Sequence, residues 1–117
     1  MLAPICLFTY NRIDELKLTI KALQQNFLAV ESDLVIFSDG GKDENSWEKV
    51  NHVRQYLRSV SGFRSLEIVE SPNNKGLANS IITGVSSVTE KQQKVIVLED
   101  DLITSTNFLD YMNQCLS

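Results

Sequence analysis

Apolar residues in this chain fall into short unbroken runs, separated by longer stretches where they recur every three or four positions. The runs are Ile5-Cys6-Leu7-Phe8-Thr9, Leu34-Val35-Ile36-Phe37-Ser38, residues 66–69 and Val95-Ile96-Val97-Leu98. Runs of this length and β-branched content read as strands, the last of them as a strand buried on both faces. Between the first two, Leu16, Ile20, Leu23 and Phe27 mark one face of a helix. Val50, Val53, Leu57 and Val60 mark a second helix over residues 45–60, with Asn45 or Ser46 as its N-cap. Leu77, Ile81, Val85 and Val88 mark a third after Gly76, weakened by Gly84 in its middle. A fourth helix is expected over residues 106–116.

Strand followed by helix, four times over, predicts an α/β fold: a Rossmann-like, mostly parallel sheet with right-handed crossovers and helices on both faces. No repeat, low-complexity stretch or linker interrupts the pattern, so residues 1–117 read as a single α/β domain large enough for a true core. One consequence concerns chemistry. Thr9-Tyr10-Asn11-Arg12, Asp39-Gly40-Gly41 and Glu99-Asp100-Asp101 each follow a strand. Parallel strands would gather all three on one rim, the edge where open α/β sheets bind ligands.

Buried ionised groups are costly unless paired or metal-bound, so three acids at a strand's end point to a cation site. The expected ion is hard and oxygen-loving, Mg²⁺ or Mn²⁺, held by one or two carboxylates and a substrate phosphate. An acidic loop that merely caps the next helix is the competing reading. Tyr10 offers a ring that can stack on a nucleobase, and Arg12 a fork for phosphate. A cation such as Arg12 at a helix start opposes the helix dipole unless an anion lies nearby. Asp39 can accept a hydrogen bond from a uracil N–H or a ribose hydroxyl, and Gly40 and Gly41 allow close backbone approach. An ordinary Asp-Gly turn explains the same residues equally well. Asn73-Asn74-Lys75-Gly76-Leu77-Ala78-Asn79 opens the third helix, where backbone N–H groups and Lys75 can receive phosphates, although the Walker spacing is absent.

Charge narrows the partners. The net charge is −4 and no basic patch interrupts it, so no nucleic acid is expected to bind. Cys6 and Cys115 form neither a disulfide framework nor a CxxC site, and read as two buried reduced thiols. Lone His52 sits on the polar side of its helix and reads as surface, which leaves no Ser/His/Asp or Cys/His arrangement. With no apolar run near the roughly 18 residues of a membrane span, the expected location is cytoplasmic, with any membrane association supplied by a longer parent chain.

Together these motifs resemble the nucleotide-sugar-binding half of GT-A glycosyltransferases of the family 2 type. The stretch from Pro4 to Arg12 is similar to their first strand and Tyr-Asn-Arg loop, and Ser38-Asp39-Gly40 to the aspartate that reads the base. Residues 74–80 are similar to their Asn-x-Gly segment with its later part altered. Glu99-Asp100-Asp101 matches the DxD motif in a Glu-Asp-Asp form, and with Leu102 and Phe108 is especially similar to N-acetylglucosaminyltransferase I. The resemblance implies that Asp101 binds the metal, Asp100 touches ribose or sugar, and Glu99 orients the site. It implies that Asp39 binds the base, that Thr9, Tyr10 and Arg12 line the nucleotide pocket, and that Lys75 and Asn79 contact the donor. It further implies a UDP-sugar donor, a saccharide or lipid-linked acceptor, and a catalytic base beyond Ser117, so that the chain is a fragment inactive alone. Two rivals remain from the residues themselves. One is a receiver-type Mg²⁺-binding signalling domain, which lacks its acidic pair after the first strand here. The other is a non-catalytic α/β binding module.

Overall fold

The computed structural model describes residues 2–116. Its elements run β1 (Ile5–Thr9), α1 (Ile13–Gln24), β2 (Asp33–Ser38), α2 (Glu44–Leu57), β3 (Ser65–Glu70), α3 (Leu77–Thr89), β4 (Ile96–Glu99) and α4 (Phe108–Leu116). The four strands form one sheet in the order β3-β2-β1-β4. Every pairing is parallel, with Leu7 opposite both Ile36 and Leu98, and Ile36 opposite Ile68. The α/β parallel-sheet expectation is met.

Alternation along the strands decides which face is filled. Ile5, Leu7, Leu34, Ile36, Ile96 and Leu98 point to one face and pack with Leu16, Ile20 and Leu23 of α1, Val53 and Leu57 of α2, and Leu109 of α4. Buried Asn26 pins α4 here: its Oδ1 accepts from Leu109 N at 3.0 Å while its Nδ2 donates to Ala22 O at 3.1 Å. The opposite face is covered by α3. There Phe8 and Phe37 stack with centroids 4.9 Å apart, and a Cβ placed on Gly84 would lie 2.9 Å from Phe8 Cε1 and 3.1 Å from Phe37 Cε1. Gly84 is therefore the point of contact, where the spacing alone made it a weakness. Leu77, expected inward, is 52% exposed at the start of the helix.

Several expectations need correction. Val95 lies outside β4, and Val97 is 41% exposed, because β4 is an edge strand whose second face α3 does not cover. Only β1 is buried at every position; β2, also flanked on both sides, alternates buried and half-buried residues. Phe27 lies beyond α1 and is exposed, since the chain leaves the helix after Gln24 and turns into the short 3₁₀ segment Ala29–Glu31. The N-cap of α2 is Asp43, whose Oδ1 accepts from Ser46 N at 2.8 Å while the Ser46 hydroxyl accepts from Asp43 N at 2.9 Å. That reciprocal box moves the helix start ahead of Asn45. The last helix begins at Phe108, not at residue 106. Cys6 is fully buried and its thiol is pushed up to about 11 by desolvation, whereas Cys115 is exposed, contrary to the expected buried pair. No helix among the described residues is long and apolar enough to cross a membrane.

The Gly84 contact yields a prediction opposite to helix propensity. Alanine should gain about 1 kcal/mol as a helix former but lose about 1–3 kcal/mol by forcing the phenylalanine pair apart. Gly84→Ala is expected to lower unfolding free energy in urea; a more stable variant would show that the rings yield freely.

Candidate functional site

At the carboxyl ends of the strands lies a cleft of about 220 Å³. Its lining includes Thr9, Tyr10, Arg12, Asp39, Glu99 and Asp100, gathered from the ends of three strands. Parallel topology brings these residues together although up to 91 positions separate them, as between Thr9 and Asp100.

The wall formed by the end of β2 and the turn before α3 is organised by Asp39, which is buried. Its Oδ1 accepts from Gly40 N and Lys75 N, each at 2.9 Å. Its Oδ2 accepts from Gly76 N at 3.0 Å and from the Asn74 amide at 3.3 Å. One carboxylate thus gathers four donors and ties the end of β2 to the turn that begins α3. Glycine is needed twice in that joint. A Cβ on Gly40 would sit 2.7 Å from the Asn73 carbonyl carbon, and Gly76 has φ +81°, a left-handed conformation that side chains resist. Gly76 is also the N-cap of α3, with no side chain capping it, and Gly76, Leu77 and Ser80 border the cleft. The positive end of a 13-residue helix therefore faces it.

The opposite wall is organised by Asp100, which is 4% exposed. Its Oδ2 accepts from the Thr9 hydroxyl at 3.0 Å and its Oδ1 from Arg12 Nη2 at 2.8 Å, while its backbone carbonyl accepts from the Thr19 hydroxyl at 2.8 Å. The anion that Arg12 requires at the start of α1 is thus supplied by the protein itself. Glu99 borders the cleft beside Asp100. Asp101 stands outside the lining, with its side chain 46% exposed and 3.9 Å from Arg12 Nη2. Among the described residues, no three acidic, histidine or cysteine side chains gather closely enough to hold a metal between them.

Lys75 and Asn79 are likewise absent from the main lining. Lys75 borders a smaller recess of about 100 Å³ on the far side of the turn, and the Asn79 amide donates to Lys75 O at 3.0 Å. Sequence reasoning passed over Lys42 and Ser80, which do border the cleft. Ser80 stands one helical turn after Gly76, a spacing that would have flagged it; Lys42 had only its place after the glycine pair. It also passed over Arg54, buried behind the Asp39 wall. Position 54 falls within the inward stripe of Val50, Val53 and Leu57, so a charge there was a readable signal.

An anion-facing helix start, two acid-anchored walls and an aromatic ring at one strand-end cleft agree with the comparison to known families. The family model described as Glycosyl transferase family 2 matches residues 5–113, nearly the whole chain and both walls of the cleft. No curated protein matches the chain. The receiver reading loses its footing, since the family match accounts for the same parallel sheet and acidic rim. On that match, the chain belongs to glycosyl transferase family 2.

Proposed function

We propose that the cleft binds a nucleoside-diphosphate sugar, with a UDP-sugar favoured, as the donor for transfer to a saccharide or lipid-linked hydroxyl acceptor. The observation that carries this reading is the convergence of Tyr10, Arg12, Asp39 and the start of α3 on one cleft in a family 2 chain. Its volume of about 220 Å³ lies below the roughly 300–1,000 Å³ of pockets that enclose a whole ligand. The cleft accordingly takes the nucleoside end, leaving diphosphate and sugar toward Arg12 and the acids. Tyr10 stacks on the base. A base N–H reaches Asp39 Oδ2 by replacing the Asn74 amide, the longest of its four bonds. Arg12, half exposed, shares its guanidinium between Asp100 and phosphate.

The acids fit a donor-borne divalent ion, Mn²⁺ or Mg²⁺, better than a cage of protein ligands. Both Asp100 oxygens are committed to Thr9 and Arg12, whereas Asp101 is half exposed and accepts no hydrogen bond among the described residues. Ions of this type are held by one or two carboxylates together with substrate phosphates, so Asp101 is the assigned ligand and Glu99 its neighbour at the cleft edge. Bound there, the ion would neutralise charge building on the diphosphate leaving group. Lys75, at the Asp39-held turn, offers a further positive charge, and Asn79 steadies that turn through the Lys75 carbonyl.

Calorimetry with UDP should show binding that strengthens when Mn²⁺ is added and falls back in excess chelator. Affinity that ignores the metal would remove the ion from this reading, and absence of UDP binding would end it.

Asp101→Asn should weaken Mn²⁺-dependent UDP binding by about 1.5–3 kcal/mol, the scale of a hydrogen bond to a charged group. Asp14→Asn, on the exposed side of α1, serves as the control and should leave binding unchanged. Equal affinities in the two variants would defeat the ligand assignment.

A further inference from the structure

Arg54 of α2 is 8% exposed, yet it forms no ion pair among the described residues. A buried guanidinium without a carboxylate is costly unless its donors are met by well-placed acceptors. Here they are. Nε donates to Ser38 Oγ at 3.0 Å, and Nη2 lies 3.1 Å from Ser38 O, 3.3 Å from Asp39 O and 2.8 Å from Ser71 O. The Trp47 ring lies 5.2 Å from the guanidinium carbon, and Gly41 leaves room for that ring, since a Cβ there would fall 2.5 Å from Trp47 Cγ. The charge is therefore met by carbonyl dipoles at the ends of two adjacent parallel strands.

These acceptors have a common address. Ser38 and Asp39 close β2, and Ser71 follows β3; the Ser71 amide itself donates to Ser38 O at 3.0 Å. Gly40, the next residue, is pressed against Ser71 and Asn73. Asp39 then holds Lys75 N and Gly76 N through its side chain. Removing the guanidinium would strip three carbonyls of a shared donor, leaving the Ser71 amide to hold Ser38 O, and would loosen the aim of the Asp39 carboxylate on the turn. Nothing in the core requires a charge at this position, because Val50, Val53 and Leu57 already fill the inward face of α2.

We propose that Arg54 is a positioning residue for the donor cleft: its guanidinium locks the ends of β2 and β3 together, and through Asp39 fixes the turn and helix start that form one wall. Its bearing on binding rests on the donor reading above; its bearing on the turn does not. An ammonium cannot reproduce a planar fork spread over four contacts. Arg54→Lys therefore keeps the charge and loses the geometry. Ser38→Ala, which removes only the Nε acceptor, is the milder companion.

The test is amide hydrogen exchange of the free 117-residue chain, followed by UDP titration of each variant. Arg54→Lys should exchange Lys75 and Gly76 amides about tenfold faster while Leu7 in β1 keeps its protection, the mark of a local opening. Ser38→Ala should move the same two amides by less. UDP and uridine affinities should fall by a similar factor, since the nucleoside wall is what has moved; a loss confined to UDP would mean that the diphosphate side and not the nucleoside wall depends on Arg54, and would overturn the proposal. Unchanged exchange at Lys75 and Gly76 would overturn it, as would equal acceleration across β1, or failure of both variants to fold, either of which would make Arg54 a core residue. If the unaltered chain does not bind UDP, the donor reading fails and the exchange results alone decide the role of Arg54.

Discussion

Parallel strands end together, and each ends on backbone groups that no further strand can pair. Around the cleft the segments beyond those ends are tied by two buried carboxylates, Asp39 holding backbone amides and Asp100 holding side-chain donors. Asp39 collects donors from its own loop and from the turn ahead of α3, and Asp100 collects them from the end of β1 and the start of α1. Leaving a buried donor unmet costs roughly 1–3 kcal/mol, so each carboxylate holds its wall by the penalty of letting go. The cleft is the space between the two.

This arrangement changes how acids on a ligand-facing rim should be regarded. Such residues are usually assigned outright to the ligand, yet every carboxylate oxygen of Asp39 and Asp100 already accepts a hydrogen bond from the protein. The carboxylates are buried and five of their six bonds run 2.8–3.0 Å, which fixes the walls before any ligand arrives. Pre-ordered walls lower the entropy lost when a ligand is immobilised. Asp101 touches this network only through a 3.9 Å ion pair with Arg12 and lies outside the lining, while Glu99 lies on it. Three consecutive acids thus sit in three different surroundings.

Much of this was legible in the chain. Unbroken apolar runs and the three-four spacing located every strand and helix, and parallel topology followed from their alternation, as did the common rim. Boundaries shifted where a local bond outweighed the pattern, as when the Asp43–Ser46 box started α2 early. Partner choice was not legible, because it depends on distances between residues far apart in sequence. Arg12 was seen to need an anion, but spacing could not reveal that Asp100, 88 positions away, supplies it. Val97 and Phe27 broke the apolar rule for a related reason: whether a side is covered depends on neighbours the local pattern does not describe. Arg54 was missed for a different reason: its charge lies within an inward apolar stripe, a signal the sequence carried but the apolar spacing alone did not weigh.

The two cysteines occupy opposite extremes of access. Cys6 lies in the central strand with its thiol pushed up to about 11 by burial, and Cys115 lies on the outside of α4. The thiolate is the form that reacts with alkylating reagents, so Cys6 is silent until the packing that buries it opens. Cys115 reacts without that event. The molecule consequently carries a clock and its own reference: the ratio of the two labelling rates reads the frequency with which that packing opens, in unmodified protein and without a denaturant.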